Sequence, residues 1–151
     1  MAQTNQTKTT RLAGTVTYEL DFNTIQNAEH CAIAEAQRHN ISVAVAIVDG
    51  SGILSSFFRM PGSFLASVDY AKWKAWTAAS FKMPSQEFGQ LVSGLDTLSG
   101  KGLLAHPQVT ALPGGFPIKK NETIIGAIGV SGGHGDQDDA IAKAALSAFE
   151  I

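Results

Sequence analysis

Two β-hairpins constrain the fold more than any other feature of this sequence. The first consists of ISVAVAIVD (41–49), rich in β-branched residues, the turn Gly50-Ser51-Gly52, and ILSSFFR. The second is FPIKKNETIIGAIGV (116–130), in which a Lys-Asn turn separates two strand patterns. Strands that arrive as hairpin pairs are antiparallel, whereas parallel strands need long crossover connections. The sequence therefore predicts an antiparallel sheet and disfavours parallel βαβ units.

Helical patterns flank both hairpins. Apolar residues recur three and four positions apart in residues 21–40, 64–81 and 136–150, and the second pattern predicts that Phe64 and Leu65 face inward. Between Pro84 and Gly115, four glycines interrupt any long helix, so we expect one short helix and then an irregular loop. The order of elements predicts an α+β fold, in which helices pack on an antiparallel sheet of hairpin-paired strands.

Length and composition predict one domain and a small partner. The 151 residues fit a single domain over 20–151, with residues 1–19 as a polar extension, partly disordered or an edge strand. A net charge of −2 excludes the basic surface typical of proteins that bind nucleic acid or anionic membranes. One cysteine, and no apolar segment of the kind found in signal peptides, predict a cytoplasmic protein.

The glycine-rich stretch IIGAIGVSGGHGDQDDA (124–140) fits none of three well-known motifs. The one Gly-Lys pair is followed by Gly102, which excludes a P-loop, and Asp138 stands where a dinucleotide-binding turn needs glycine. GVSGG (129–133) does match the serine elbow of α/β-hydrolases. That architecture requires an acid and then a histidine after the serine, but His134, the last histidine, precedes the aspartates that follow.

The same stretch instead predicts a strand, a turn and a capped helix start. Gly126 and Gly129 mark places where another backbone, a bulky side chain or a ligand approaches closely. From Gly132 onward, unpaired N–H groups at a helix N-terminus favour a carboxylate or oxyanion. Asp136 is available as the helix cap, and no metal site is predicted. We predict one wall of a small-molecule site here, with Phe116 closing over the ligand from the opposite side.

The stretch and three upstream segments resemble the GlcG/HbpS-like family from about residue 20 to 149. The segments are LPGGFPI (112–118), AIVDGSGILSSFFRM (46–60) and AKWKAWTAASF (71–81). This family includes haem-binding proteins and the C-terminal domain of some cobalamin adenosyltransferases. The resemblance implies a profilin-like layered fold, homo-oligomers and, in some members, binding or slow degradation of haem.

The resemblance also suggests which residues bind a ligand. Eight residues are predicted to bind ligand. Phe116 is particular to this chain, and the other seven match the family pattern: Arg59, Lys74, Gly115, Pro117, Gly129, Ser131 and Gly132. Arg59 and Lys74 can each pair with a ligand carboxylate or bridge to a neighbouring part of the protein.

Two histidines are candidates for chemistry. Haem needs an apolar slot, an axial ligand and cations near its propionates. His30 lies opposite the apolar stripe of the first helix, so it faces solvent or a neighbouring subunit, where it can ligate haem held between subunits. His134 projects from the glycine turn and is the candidate catalytic general base.

Two functions remain open. The first is an oligomeric protein that binds a small molecule, either haem or another planar organic ligand. The alternative is a cofactor-independent isomerase, cyclase or lyase that uses acid/base chemistry on a small organic substrate. In either case Trp73 and Trp76 leave more apolar surface than one small sheet can cover, which predicts a homo-oligomer.

Overall fold

The structure, a computed structural model, describes residues 20–150 in full and the backbone of residues 9–12 and 15–18. The helices are α1 (Phe22–Arg38), α2 (Leu65–Phe81), α3 (Ser85–Ser93), α4 (Thr97–Leu104) and α5 (Gly135–Leu146), which continues into a 3₁₀ turn, Ser147–Phe149. The strands are β1 (Thr9–Leu12), β2 (Thr15–Tyr18), β3 (Ala44–Asp49), β4 (Leu54–Arg59), β5 (Gly115–Lys120) and β6 (Thr123–Ser131). Strands β1 and β2 pair with each other, and the rest of the predicted N-terminal extension lies outside the described residues.

The main sheet has the strand order β4-β3-β6-β5, and every neighbouring pair is antiparallel. The predicted α+β fold built from hairpin-paired strands is thus confirmed. The second hairpin turns at Asn121 and Glu122, one residue beyond the predicted Lys-Asn turn. Both residues have positive φ, 48° and 65°, as a two-residue type I′ turn requires.

Helices cover both faces of this sheet. On one face, Val45, Ile47 and Ile128 belong to a core that includes the apolar side chains of α1 and α5. On the other, Ala44 and Ala46 pack with the alanines of α2. Because successive side chains of a strand point to opposite faces, β3 contributes to both layers in alternation.

Helix α2 approaches β6 so closely that its main chain lies against Gly129. A side chain at this position would collide with the carbonyl of Ala71 and would lie 2.6 Å from the amide nitrogen of Ala75. The sequence left open whether backbone, side chain or ligand covers this glycine, and the structure shows backbone. Gly126 is likewise covered by protein, the carbonyl of Val48 and the side chain of Leu20.

Two of the sequence predictions for the helices were wrong. Residues 84–115 form two short helices, α3 and α4, instead of one, because the glycines within them do not break the helix, and Gly89 and Gly100 are packing sites. A Cβ at Gly89 would lie 2.7 Å from the carbonyl oxygen of Ala111. Phe64 and Leu65, predicted to face inward, are 71% and 86% exposed, since the buried face of α2 begins only at Ser67.

Substituting Gly129 with valine should destabilise the fold, because the helix above it cannot move away without opening the core. We expect Gly129→Val to lower the free energy of unfolding by about 3 kcal/mol or more. The matched control is Gly102→Ala, since Gly102 lies within α4 with open space around it. That change should raise the free energy of unfolding by about 0.5–1 kcal/mol. Urea denaturation measures both, and a Gly129→Val protein as stable as the parent would contradict the packing argument.

Candidate functional site

Gly129 of the predicted wall and the predicted lid, Phe116, lie on opposite faces of the sheet. Gly115 and Gly129 pair in register, and both face α2. Phe116 is the next residue along β5, so its side chain packs with the α1 and α5 layer, where the Lys143 ammonium lies 5.7 Å from its ring. The prediction that Phe116 closes over a ligand at Gly129 is therefore corrected.

Two donors of the glycine turn are paired within the chain, whereas the sequence predicted unpaired donors. The Gly133 N–H donates to Asp138 Oδ1 and the His134 N–H donates to Gln137 Oε1, each at 2.9 Å. These donors are satisfied because the first turn of α5 carries two acceptors that fold back over its own N-terminus. His134, which is exposed, is the N-cap residue, so Asp136 lies inside the helix instead of capping it.

Lys74 forms a buried ion pair that joins the two helical layers. Its ammonium donates to Asp138 Oδ2 and to the carbonyl oxygen of Val130, both at 2.8 Å. Both side chains are almost fully buried. Of the two partners that the sequence left open for Lys74, a ligand and a neighbouring helix, the structure shows the helix, α5.

Burial dominates the electrostatics of this pair. It lowers the pKa of the Lys74 amine, against the attraction of Asp138, and it raises the pKa of the Asp138 carboxyl, against the attraction of Lys74. Burial also raises the pKa of the neighbouring Asp139 carboxyl. Since both charges of the pair have left water, each depends on the other for compensation.

The remaining predicted ligand-binding residues are scattered. Ser131 is buried on the α2 face, in one row with Ala44 and Arg59. Gly132 faces Val43, with no room for a Cβ. Pro117 lines a cavity at the outer side of β5. Ser131 and Gly132 thus lie together at the end of β6, whereas Pro117 lies at another place in the fold.

The tryptophans of α2 are partly covered within the chain. The Trp76 ring stacks on His106, with centroids 4.7 Å apart, and Trp73 meets Tyr70 edge to face. Trp73 and Trp76 are half-buried. The argument for an oligomer from these two residues is therefore weaker than the sequence suggested.

An open apolar surface instead lies where α1 crosses the outer strand β4. The Ser56 hydroxyl donates to the Glu29 carboxylate, which fixes α1 against this strand. The next residue, His30, is exposed, as predicted. On β4, Leu54 is 47% and Phe58 is 39% exposed.

Arg59 brings a cation to the same strand. It ends β4, it is exposed, and its guanidinium donates to the carbonyl oxygen of Ser63 at 3.3 Å. We define the α1–β4 edge as His30, Leu54, Phe58 and Arg59, of which Phe58 faces the α1 layer and Leu54 and Arg59 face the α2 layer. It combines an imidazole, apolar side chains and a positive charge, which are the three features that haem requires of a protein surface. The sequence carried this signal in His30 and Arg59 separately, but not their common edge.

The described residues contain neither a membrane-spanning helix nor a metal-binding cluster. None of the helices in this part of the chain is both long and apolar enough to cross a bilayer. Within the same residues, no group of three or more histidine, cysteine or acidic side chains is arranged to hold a metal ion.

Replacing one member of the Lys74–Asp138 pair should cost more than replacing both. Lys74→Met leaves a buried carboxylate uncompensated, and we expect a loss of about 3–5 kcal/mol in the free energy of unfolding. Asp138→Leu should cost a similar amount. The double variant should lose less than the sum of the two single losses, because no unpaired charge remains buried. Denaturation of all four proteins gives the coupling energy, and strictly additive losses would show that the pair is not coupled.

Comparison with known proteins finds relatives that are similar in sequence and in structure. The corrinoid adenosyltransferase PduO of Salmonella typhimurium is 32% identical over 132 residues, which cover 87% of this chain but only 39% of that protein. A solved PduOC:heme complex is 32% identical, with a TM-score of 0.81, covering 88% of this chain and 96% of that one. A double mutant of HbpS from Streptomyces reticuli is 27% identical, with a TM-score of 0.83, covering 94% of this chain and 95% of that one.

A family model agrees with these similarities and with the resemblance seen in the sequence. It is described as haem degrading protein HbpS-like, and it matches residues 20–147, from the residue before the α1 cap to the start of the final 3₁₀ turn. The layered fold and the matched segment coincide. The chain belongs to the HbpS-like family.

Proposed function

We propose that this protein binds haem at the α1–β4 edge, between subunits of a homo-oligomer, with His30 as the axial ligand. The observation that carries the proposal is the exposed His30 of α1, the helix that covers the face to which the exposed Phe58 of β4 points. A relative solved as a PduOC:heme complex, 32% identical over most of both chains, supports haem as the ligand. This edge also combines two residues, His30 and Arg59, that the sequence predicted to bind ligand.

A second subunit is needed because the edge supplies only one wall. The apolar faces of a porphyrin bind well only when both leave water, at about 25 cal/mol per Å² of apolar surface buried. The β4 edge also presents main-chain groups that no described strand satisfies on its outer side. Open strands of this kind are covered in stable proteins, and another copy of the chain can cover both strand and ligand.

Arg59 is suited to hold a propionate. It follows Ser56 by three residues on β4, which at the rise of an extended strand is about 10 Å. Because residues three apart on a strand point to opposite faces, Arg59 faces the α2 layer whereas Ser56 faces α1, so a ligand that reaches both His30 and Arg59 has to extend past the open edge of β4. An arginine can donate two parallel hydrogen bonds to one carboxylate, which favours it over lysine at this position.

The enzyme alternative has less support. Its argument was the donor-rich turn around His134, and two of those donors are hydrogen-bonded to Gln137 and Asp138. The adenosyltransferase relative does not carry its activity over, because this chain spans 39% of that protein. Catalysis by His134 stays a prediction from the sequence.

Removal of the axial ligand tests haem binding. Titration of purified protein with hemin should shift the Soret band with a defined stoichiometry. His30→Ala should weaken binding at least about tenfold and change the band, because the iron loses its protein ligand. His106→Ala is the control, since His106 is also exposed but stacks on Trp76 of α2. Unchanged affinity and spectrum in His30→Ala would contradict this site.

The mass of the protein in solution tests the assembly. Light scattering should give a multiple of 15.9 kDa at micromolar concentration, because the β4 edge is covered by another copy. Phe58→Asp should lower this mass by placing a charge in the interface. Leu98→Asp changes an exposed leucine of α4 and should have no effect. A monomeric parent protein, or a Phe58→Asp protein of unchanged mass, would contradict the proposed interface.

A further inference from the structure

A cavity lies where the first turn of α1 meets the turn of the first hairpin. It has a volume of about 620 Å³, within the range of small-molecule sites. Its apolar lining residues are Leu20, Phe22, Ile25 and Ile125. Because His30 follows Phe22 by eight residues in α1, the proposed haem ligand lies about 12 Å further along the helix axis. The cavity is therefore separate from the proposed axial ligand.

Two β-bulges, on different strands, supply residues to this cavity. In the pairing of β3 with β4, the register shifts between Ile47 and Val48 and leaves Ser55 without a partner. In the pairing of β5 with β6, Ile125 is the residue left out. Both of these extra residues line the cavity. Bulges re-aim side chains and are over-represented next to active sites, so two bulges that meet at one cavity favour a binding role for it.

The polar side of the cavity contains a carboxylate with one oxygen open to a ligand. Asp49 follows Ile47 by two residues on β3, so its side chain points to the same face of the sheet, toward α1. Its Oδ1 accepts the N–H groups of Ser51 and Ile53, at 2.8 and 3.0 Å. No described residue donates a hydrogen bond to its Oδ2. Together with the hydroxyls of Ser51 and Ser55, which also line the cavity, this oxygen provides three acceptors.

The charges around the cavity favour a cation. None of the described residues that line it is basic, whereas Asp49 is acidic. The first turn of α1 would attract an anion, but its donors are already capped, because Thr24 donates to the Asp21 carboxylate through its N–H and its hydroxyl, at 3.0 and 2.8 Å. These two bonds lower the pKa of the Asp21 carboxyl, which therefore carries a negative charge at neutral pH. Asp21 precedes the lining residue Phe22, so it adds a second negative charge nearby.

We propose that this cavity binds a small primary amine with an apolar body, its ammonium at Asp49 and its body against Leu20 and Phe22. A primary ammonium has three N–H donors, which match the three acceptors on the polar side. Phe22 is 68% exposed, so an aromatic ring of the ligand can pack against it and remove both from water. This site does not depend on haem binding at the α1–β4 edge, so it is tested on haem-free protein.

Methyl NMR measures where and how tightly a probe binds. The probe is 2-phenylethylamine, which is protonated at neutral pH, and its counterpart is 3-phenylpropanoate, of similar size but opposite charge. The amine should shift the methyl signals of Leu20, Ile25 and Ile125, which line the cavity. The acid should bind at least about tenfold more weakly, because Asp49 repels its carboxylate. Equal affinities for the two probes, or amine shifts confined to other methyl groups, would overturn the proposal.

Removal of the Asp49 charge tests the ammonium contact. Asp49→Asn keeps a side-chain oxygen for the two N–H groups of the hairpin turn, so the fold should be retained. The ratio of amine to acid affinity should fall about fivefold or more, because the attraction between opposite charges is lost. The control is Asp69→Asn, which changes an exposed carboxylate of α2 and should leave the ratio unaltered. An unchanged ratio in Asp49→Asn would show that Asp49 does not hold the ammonium.

A positive charge placed at the bulge provides a second measurement. Ser55 is exposed, so Ser55→Lys should leave the fold intact, which the dispersion of the amide spectrum verifies. The new ammonium should compete with the amine for Asp49 and attract the acid, so the acid should become the tighter of the two ligands. A Ser55→Lys protein that keeps the amine preference of the parent would contradict the proposed site.

Discussion

The close contact between α2 and β6 is the constraint on which the rest of the structure depends. Gly129 lets the main chain of the helix lie directly on the strand. That approach carries Lys74 to the end of β6, where its ammonium reaches the carbonyl of Val130 and the carboxylate of Asp138. Small residues in the contact thus determine how closely α2 approaches the sheet, and this close approach makes the ion pair possible.

Covering both faces of a sheet has a consequence for function. The α1 and α5 layer occupies one face and α2 occupies the other, so the surfaces left for ligands lie along the outer strands. The proposed haem site is of this kind, because it lies beside β4, which carries exposed apolar side chains.

The sequence predicted the elements well because their signals are local. Hairpins and helices follow from patterns within about twenty residues. The prediction of the site was wrong where it depended on strand register or on contacts between residues far apart in the sequence. Phe116 and Gly129 were predicted to face each other, but the pairing of β5 with β6 places them on opposite faces. Lys74 contacts Asp138, which is 64 residues further along the chain. The signal that could have revealed the pair was a lysine within an alanine-rich, buried helical face.

The central pairing of the sheet also determines when this chain can fold during synthesis. Strand β3 pairs with β6, so the middle of the sheet can form only after Gly126, the partner of Asp49, has been synthesised. At about 5–20 residues per second, the ribosome needs several seconds to make the intervening segment. Throughout that time the first hairpin and the alanine face of α2 are present without the strand that covers them. A nascent chain of this topology therefore offers chaperones an apolar surface until β6 has emerged.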